Sequence, residues 1–268
     1  MSTDRSRRGE DLLLPAGRMT RGVVRRGGRV LRPQGSWSAS VHEYLRYLES
    51  AGFDGAPRLL GVEGDREVLT YLEGAVAADP AWEPGRGARL PDHARTEEAL
   101  AGAARLIRRL HDVSRGFVPR EAGYRFDPHP PGPAQVVSHG DLGPWNTVYR
   151  DGVPVAFIDW DAAGPVEPLV ELASAAWAFV PLAPPVRLRE SGFDPVPDLP
   201  ARLRIFLDAY GLADRKAILP ALRRCRLAEA ARVAYAPVGP AEAAASLEFL
   251  ARELRWLQEV GDGLGRAL

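Results

Sequence analysis

The 268 residues are 46% hydrophobic and 26% charged, with 35 basic side chains balancing 35 acidic ones and a single cysteine, Cys225. A chain of this length buries a substantial core as one large domain or two small ones, and its zero net charge gives no overall field to recruit nucleic acid or an anionic membrane. One cysteine excludes an internal disulfide framework or a cysteine-rich zinc site, no apolar run reaches membrane-spanning length, and the few leucines after MSTDRSRRGE are too short for a signal-peptide core, so a cytoplasmic location is expected.

The first 73 residues read as β-rich with one helix. Leu12–Leu14, Val23-Val24 and Val30-Leu31 are short apolar runs, the last two separated by the Gly27-Gly28 turn, which signals a hairpin. Ser38 is placed to cap a helix whose Val41, Tyr44, Leu45 and Leu48 share one face, and Gly52 stops it. Leu59-Leu60 and Val68–Leu72 flank the turn-prone Glu63-Gly64-Asp65, a second hairpin. The order β-β-β-α-β-β makes a small antiparallel sheet carrying one helix.

From residue 74 the chain is a Pro-, Ala- and Gly-rich connector to about Leu90. A long helix follows, with Leu100, Ala103, Ala104, Ile107, Leu110 and His111 on one face. Residues 118–135, with PHPPGP inside, suit only an irregular surface loop. Three further helices are marked by Leu203, Phe206, Leu207 and Tyr210, by Ile218, Leu222, Cys225 and Ala228–Ala231, and by Leu247, Leu250, Leu254 and Leu257. Residues 1–73 thus form a small β lobe and residues 74–268 a larger, mainly helical one, an α+β organisation with a cleft between.

Between the surface loop and these helices lies VVSHGDLGPWNTVYRDGVPVAFIDWD. Two short strands hold an irregular polar loop that presents Asp141 and, five residues on, Asn146. The turn at Asp151-Gly152 returns the chain so that Asp159, at the exit of the next strand, comes back towards them. Hard oxygen ligands converging from loop ends suit Mg²⁺, and a carboxylate not needed by the metal can accept a proton from a hydroxyl. Phosphoryl transfer from MgATP needs that division of labour.

HGDLGPWN followed by FIDWD resembles the signature of aminoglycoside phosphotransferases and their choline-kinase-like relatives, a branch of the protein-kinase-like fold. The kinase pattern H-R-D-x-x-x-x-N has the same Asp-to-Asn interval, with Gly140 here in place of the arginine. That replacement removes a partner for a phosphorylated activation loop. Leu106–His111 is similar to the family's helix ending in Leu-His upstream of this loop.

The resemblance implies a protein-kinase-like two-lobe fold that moves the γ-phosphoryl group of ATP (or GTP) to a hydroxyl of an antibiotic or metabolite, with Mg²⁺ as cofactor. It implies Asp141 as catalytic base, Asn146 and Asp159 as metal ligands, and His139 as a brace of the loop. Asp161 stands where D-F-G has glycine and is expected to be a supporting carboxylate. Glu171 stands where the family has an aspartate under the catalytic loop.

The small lobe departs from the pattern. The only lysine, Lys216, lies far downstream, so the phosphate-binding cation of the third strand is expected to be Arg32, braced from the helix by Glu43 or His42. Gly17 and Gly22 bound the candidate phosphate-covering loop, which lacks G-x-G-x-x-G, and Tyr71-Leu72 would offer main-chain groups to an adenine edge. His93, His111 and His129 read as capping or surface histidines, Arg223-Arg224-Cys225-Arg226 as a solvated face, and Trp145 and Trp160 as packing anchors. Asp194 and Asp198 are candidates for pairing with an aminated acceptor. Two other functions stay open: a degenerate kinase fold acting as a nucleotide-binding or immunity module without catalysis, and a metal-dependent phosphohydrolase using His139, Asp141, Asp159 and Asp161.

Overall fold

In the computed structural model the described residues are 11–14, 20–79, 89–120, 123–233 and 239–268. Strands β1 (Leu12–Leu13), β2 (Val24–Arg26), β3 (Arg29–Pro33), β4 (Leu59–Glu63) and β5 (Arg66–Thr70) form an antiparallel sheet in the order β1-β2-β3-β5-β4. Gly27, at φ +59°, makes the β2–β3 turn, a conformation that glycine adopts without strain. In the β3–β5 pairing Arg32 stands opposite Glu67, and Leu31 opposite Val68.

Helix α1 (Ser38–Ser50) crosses from β3 to β4 and buries Val41, Tyr44, Leu45 and Leu48, the stripe expected of a helix lying on a sheet. Ser38 is not its cap. Trp37 occupies that position, and the Ser38 hydroxyl accepts the Gly35 N–H at 3.0 Å.

After Gly74 the short strand β6 (Ala75–Val76) pairs with β8 (Thr147–Arg150), which also pairs with β9 (Val153–Phe157). The chain therefore joins the second sheet immediately beyond the connector's start. Strand β7 (Val136–Ser138) pairs with β10 (Gly164–Val166), so the two chain segments flanking the His139–Asp161 region are tied together at their outer ends.

Helix α2 (Asp92–Arg95) is one turn, and α3 (Glu97–Ser114) follows it directly. Thr96 caps α3 by accepting the Ala99 N–H at 3.0 Å, and Glu97 and Glu98 complement the dipole of the first turn. Thr96→Ala is expected to cost about 1 kcal/mol, read as a lower midpoint in urea unfolding with an unchanged slope; an unchanged midpoint would show that the cap is not used.

The remaining helices are α4 (Pro168–Phe179), α5 (Pro185–Glu190), α6 (Leu199–Tyr210), α7 (Ile218–Val233) and α8 (Pro240–Ala267). One apolar core runs from Tyr44, Leu45 and Leu48 through Leu100, Ile107 and Leu110 to Trp160, Leu172, Phe206 and Leu222. The core thus joins α1 of the sheet lobe to the helical lobe beneath the polar loop. Among the described residues, no helix is long and apolar enough to cross a membrane.

Candidate active site

The loop after β7 is held from three sides. His139 is fully buried; its Nε2 donates to the Ile158 carbonyl at 2.9 Å, and its Nδ1 accepts the Asp141 N–H at 3.2 Å. These two bonds fix the Nε2–H tautomer and strap the residue before Asp159 to the main chain of Asp141. Gly140, at φ +78°, lies so close to the Ala162 carbonyl that any Cβ would collide with it. An arginine cannot stand there without moving the 160–163 turn.

Below the loop, Glu171 of α4 accepts the Gly140 N–H on Oε1 at 2.6 Å and meets His111 Nε2 through Oε2 at 2.7 Å. His111 Nδ1 meets the Tyr210 hydroxyl at 2.8 Å. Burial pushes the Glu171 carboxyl up, but His111 and the Gly140 N–H outweigh it and hold the group below the usual glutamate value. The capping or surface reading of His111 is therefore corrected. The histidine is fully buried and links α3 and α6 to the support of the loop.

Asn146 ends a 3₁₀ turn over Pro144–Asn146. Its Nδ2 donates to both the main-chain carbonyl and Oδ2 of Asp141, each at 2.9 Å. With the amide nitrogen turned to Asp141, the amide oxygen is the free metal-binding end of the side chain. The Asn146 carbonyl accepts the Ile158 N–H at 2.9 Å, which sets the chain before Asp159 against the turn. Asp159 has a left-handed backbone, φ 62° and ψ 63°, an uncommon conformation for a non-glycine residue and one concentrated at functional sites. Burial raises the Asp141 carboxyl above the usual aspartate value, and the charges of Asp159 and Glu229 push the same way, while His139 and Asn146 oppose.

Above these acids sits Arg32, buried at the end of β3. Its Nη2 lies 2.9 Å from Asp159 Oδ1 and 2.7 Å from Asp161 Oδ2, and its Nε 3.3 Å from Glu67 Oε1. Burial disfavours the guanidinium charge, yet Asp159, Asp161 and Glu67 more than offset it and hold the pKa above the usual arginine value. Asp161 is itself buried, accepting from the Thr20 hydroxyl at 2.7 Å and facing Arg125 at 3.5 Å.

The helix-borne brace is corrected. Neither His42 nor Glu43 touches Arg32: His42 Nε2 is 2.6 Å from Glu67 Oε2, and Glu43 accepts the Arg120 N–H. The carboxylate at Arg32 comes from β5 because antiparallel register puts Glu67 directly opposite it, on the same face. Residue types alone did not show this, since β3 and β5 are separated in the chain by α1 and β4. Thr20 and Arg125 were missed as well, because single polar residues in irregular segments carry no sequence signal.

Gly17 lies outside the described residues, whereas Gly22 has φ +72° and its carbonyl accepts from Arg66 Nη1 at 2.7 Å. The Tyr71 N–H is spent on the Gly28 carbonyl at 2.8 Å, and Arg25 stacks 3.6 Å from the Tyr71 ring centre. That donor does not face an adenine edge; Leu72, beside it, is half-buried. Asp198 caps α6 through the Ala201 N–H at 3.0 Å and is not a free acceptor contact.

Arg223 and Arg224 are exposed, as a solvated face requires, but Arg226 is buried between Glu229 and Glu253, and burial pushes the Glu253 carboxyl up to about 6. Burial likewise raises the Cys225 thiol to about 11, an inert state. Trp160 is fully buried, but Trp145 is exposed.

A family model described as the phosphotransferase enzyme family matches residues 120–218. A trifolitoxin immunity protein from Rhizobium leguminosarum bv. trifolii is 37% identical over 213 residues, covering 77% of this chain and 76% of that protein. Among solved structures, a choline/ethanolamine kinase family protein from Mesorhizobium loti superposes with a TM-score of 0.63 at 18% identity, over 98% of this chain and 94% of that one. A macrolide 2′-phosphotransferase from Brachybacterium faecium gives 0.55 at 16% identity, over 90% and 91%. These likenesses show a two-lobe protein-kinase-like fold.

Proposed function

The chain belongs to the phosphotransferase enzyme family of aminoglycoside phosphotransferases and choline-kinase-like proteins, and from that premise we propose that it moves the γ-phosphoryl group of ATP to a hydroxyl of a small antibiotic, toxin or metabolite inside the cytoplasm. The observation that carries this reading is the orientation of Asn146. Its amide nitrogen is committed to Asp141, which leaves its oxygen for a cation, and the Asp159 carboxylate, one residue beyond the Ile158 N–H that bonds the Asn146 carbonyl, would supply a second hard oxygen beside a separate carboxylate. That donor set fits Mg²⁺.

Asn146 and Asp159 would hold the ion, which neutralises phosphate charge when bound. Arg32, 2.9 Å from Asp159, would supply positive charge beside the ion, and a guanidinium can grip phosphate oxygens in pairs. Asp141 accepts the proton of the acceptor hydroxyl, and its raised pKa brings it nearer the range of an effective base. His139 and Glu171 hold the loop that carries Asp141, which limits its reorganisation when substrate binds. The named relative is an immunity protein against trifolitoxin, which favours a toxin among the possible acceptors.

A second reading, an immunity module without catalysis, is favoured by the ion pairs that tie Arg32 to Asp159 and Asp161. The phosphohydrolase reading has no such support. Both nitrogens of His139 are used within the protein, and among the described residues no group of three or more His, Cys, Asp or Glu is disposed to hold a metal.

The test is thermal unfolding with MgATP. Ligand at about 100 times its Kd should stabilise the wild-type chain by about 2.7 kcal/mol, and Asp159→Ala should lose most of that shift. A chain that no nucleotide stabilises would return the choice to the non-catalytic module. Turnover of MgATP against a panel of hydroxyl-bearing antibiotics then identifies the acceptor.

A further inference from the structure

We infer that Glu67, carried on β5 and not on α1, is the residue that positions Arg32, so that the small lobe places its phosphate-binding cation by sheet register alone. The inference rests on the phosphotransferase reading above for the use of Arg32, but the geometry of the pair stands apart from it. Arg32 and Glu67 are opposite partners in the β3–β5 ladder, and both are buried. One carboxylate oxygen faces Arg32 Nε at 3.3 Å, an ion pair without the alignment of a full hydrogen bond; the other is taken by His42 at 2.6 Å.

Each atom of this cluster has a separate task. The guanidinium reaches Glu67 through Nε and the Asp159 and Asp161 carboxylates through Nη2. A lysine ammonium carries its three donors on one atom, whereas Arg32 spreads its donors over Nε and Nη2. Arg32 and the strand-borne Glu67 carboxylate are parts of one arrangement set by the β3–β5 register. His42 reaches Glu67 from α1 and orients it without a hydrogen bond or ion pair to Arg32.

A functional consequence follows. A brace on a helix can be broken by moving the helix. A brace fixed in the ladder cannot, because displacing it would break the strand pairing of Pro33 with Arg66 and Leu31 with Val68 on either side. The cation is thus placed constitutively, and α1 tunes the site only through His42.

A double-mutant cycle on MgATP affinity, measured by calorimetry on the full chain, tests this. Glu67→Gln should weaken MgATP by about 10–100-fold, the usual range when an orienting partner of a functional group is lost, while Glu43→Gln leaves it unchanged. In an Arg32→Ala background Glu67→Gln should add nothing, and Arg32→Lys should not restore wild-type affinity. Equal losses from Glu67→Gln in both backgrounds, or a larger loss from Glu43→Gln, would overturn the inference. Should Glu67→Gln fail to fold, Glu67→Asp enters the same cycle.

The pair is also read without nucleotide, from the Arg32 Nε–H resonance of ¹⁵N-labelled protein. It should shift in Glu67→Gln and hold in Glu43→Gln. That result in a chain that binds no MgATP would support the brace while removing the phosphotransferase reading; an unmoved resonance in Glu67→Gln would remove the brace whatever the chain binds.

Discussion

Replacing Asp141 by asparagine is expected to reduce phosphoryl transfer by about 10²–10⁴-fold, the usual contribution of a positioned base, and at the same time to raise the midpoint of thermal unfolding. The two effects share one cause. Burial, reinforced by Asp159 and Glu229, raises the Asp141 carboxyl above its ordinary value, against the opposing pull of His139 and Asn146. A carboxyl with a raised pKa in the folded state is harder to ionise there than in the unfolded chain. Its ionisation opposes folding at neutral pH, and that penalty fades as pH falls through the raised value.

Asparagine removes the charge and keeps an oxygen to accept the Asn146 amide, a bond of 2.9 Å in the wild type. The variant should bind MgATP as before, since Asp141 is not placed on the metal. For the wild type, transfer should decline on the acid side starting above the ordinary aspartate range, because only the ionised base accepts the proton. Turnover unchanged in Asp141→Asn would remove the residue from this role. A lowered unfolding midpoint would show that the carboxylate is a structural support, not a strained functional group.

The largest effect on stability is expected at Glu171. Glu171→Ala strands the Gly140 N–H and the Nε2–H of a fully buried His111 in the core. Leaving a buried donor unsatisfied costs about 1–3 kcal/mol, so two stranded donors, at roughly 2–4 °C per kcal/mol for a chain of this size, should lower the midpoint by about 4–24 °C. Because Gly140 precedes Asp141, the loop carrying Asp141 should loosen before the rest of the fold.

The pH dependence distinguishes this network from ordinary packing. The folded chain holds the Glu171 carboxyl below the usual glutamate value of 4.5. Its contribution is therefore complete above that value and is lost as pH falls through the folded one. Glu171→Gln removes this titration, so its unfolding midpoint should fall less steeply than that of the wild type below about pH 4.5. Parallel acid limbs for the two proteins would show that Glu171 does not carry the charge assigned to it.

Much of the architecture was legible in the residues. The short apolar runs, the Gly27-Gly28 turn and the stripes at Val41–Leu48 and Leu100–Leu110 fall where the elements form, since short-range pattern is enough to specify them. Helix α4 escaped because it is apolar nearly all round, with Leu172, Ala173, Ala175, Ala176 and Trp177 all buried. A helix sunk in a core shows no wet face, hence no period to detect. Ser38 misled as a cap because the preceding turn, not residue type, decides where the first helical bond falls.

The spacing of the candidate site was legible for a different reason. Asp141, Asn146 and Asp159 lie within one hairpin, so their spacing along the chain already constrains their separation in space. Arg32 with Glu67, and Glu171 with His111, join segments far apart in sequence, and no interval between residues encodes which strands pair or which helices cross. Chain-local chemistry is written in order and spacing. The partners that hold it in place are set by long-range register and packing, which arise when the strands and helices are assembled around a common core.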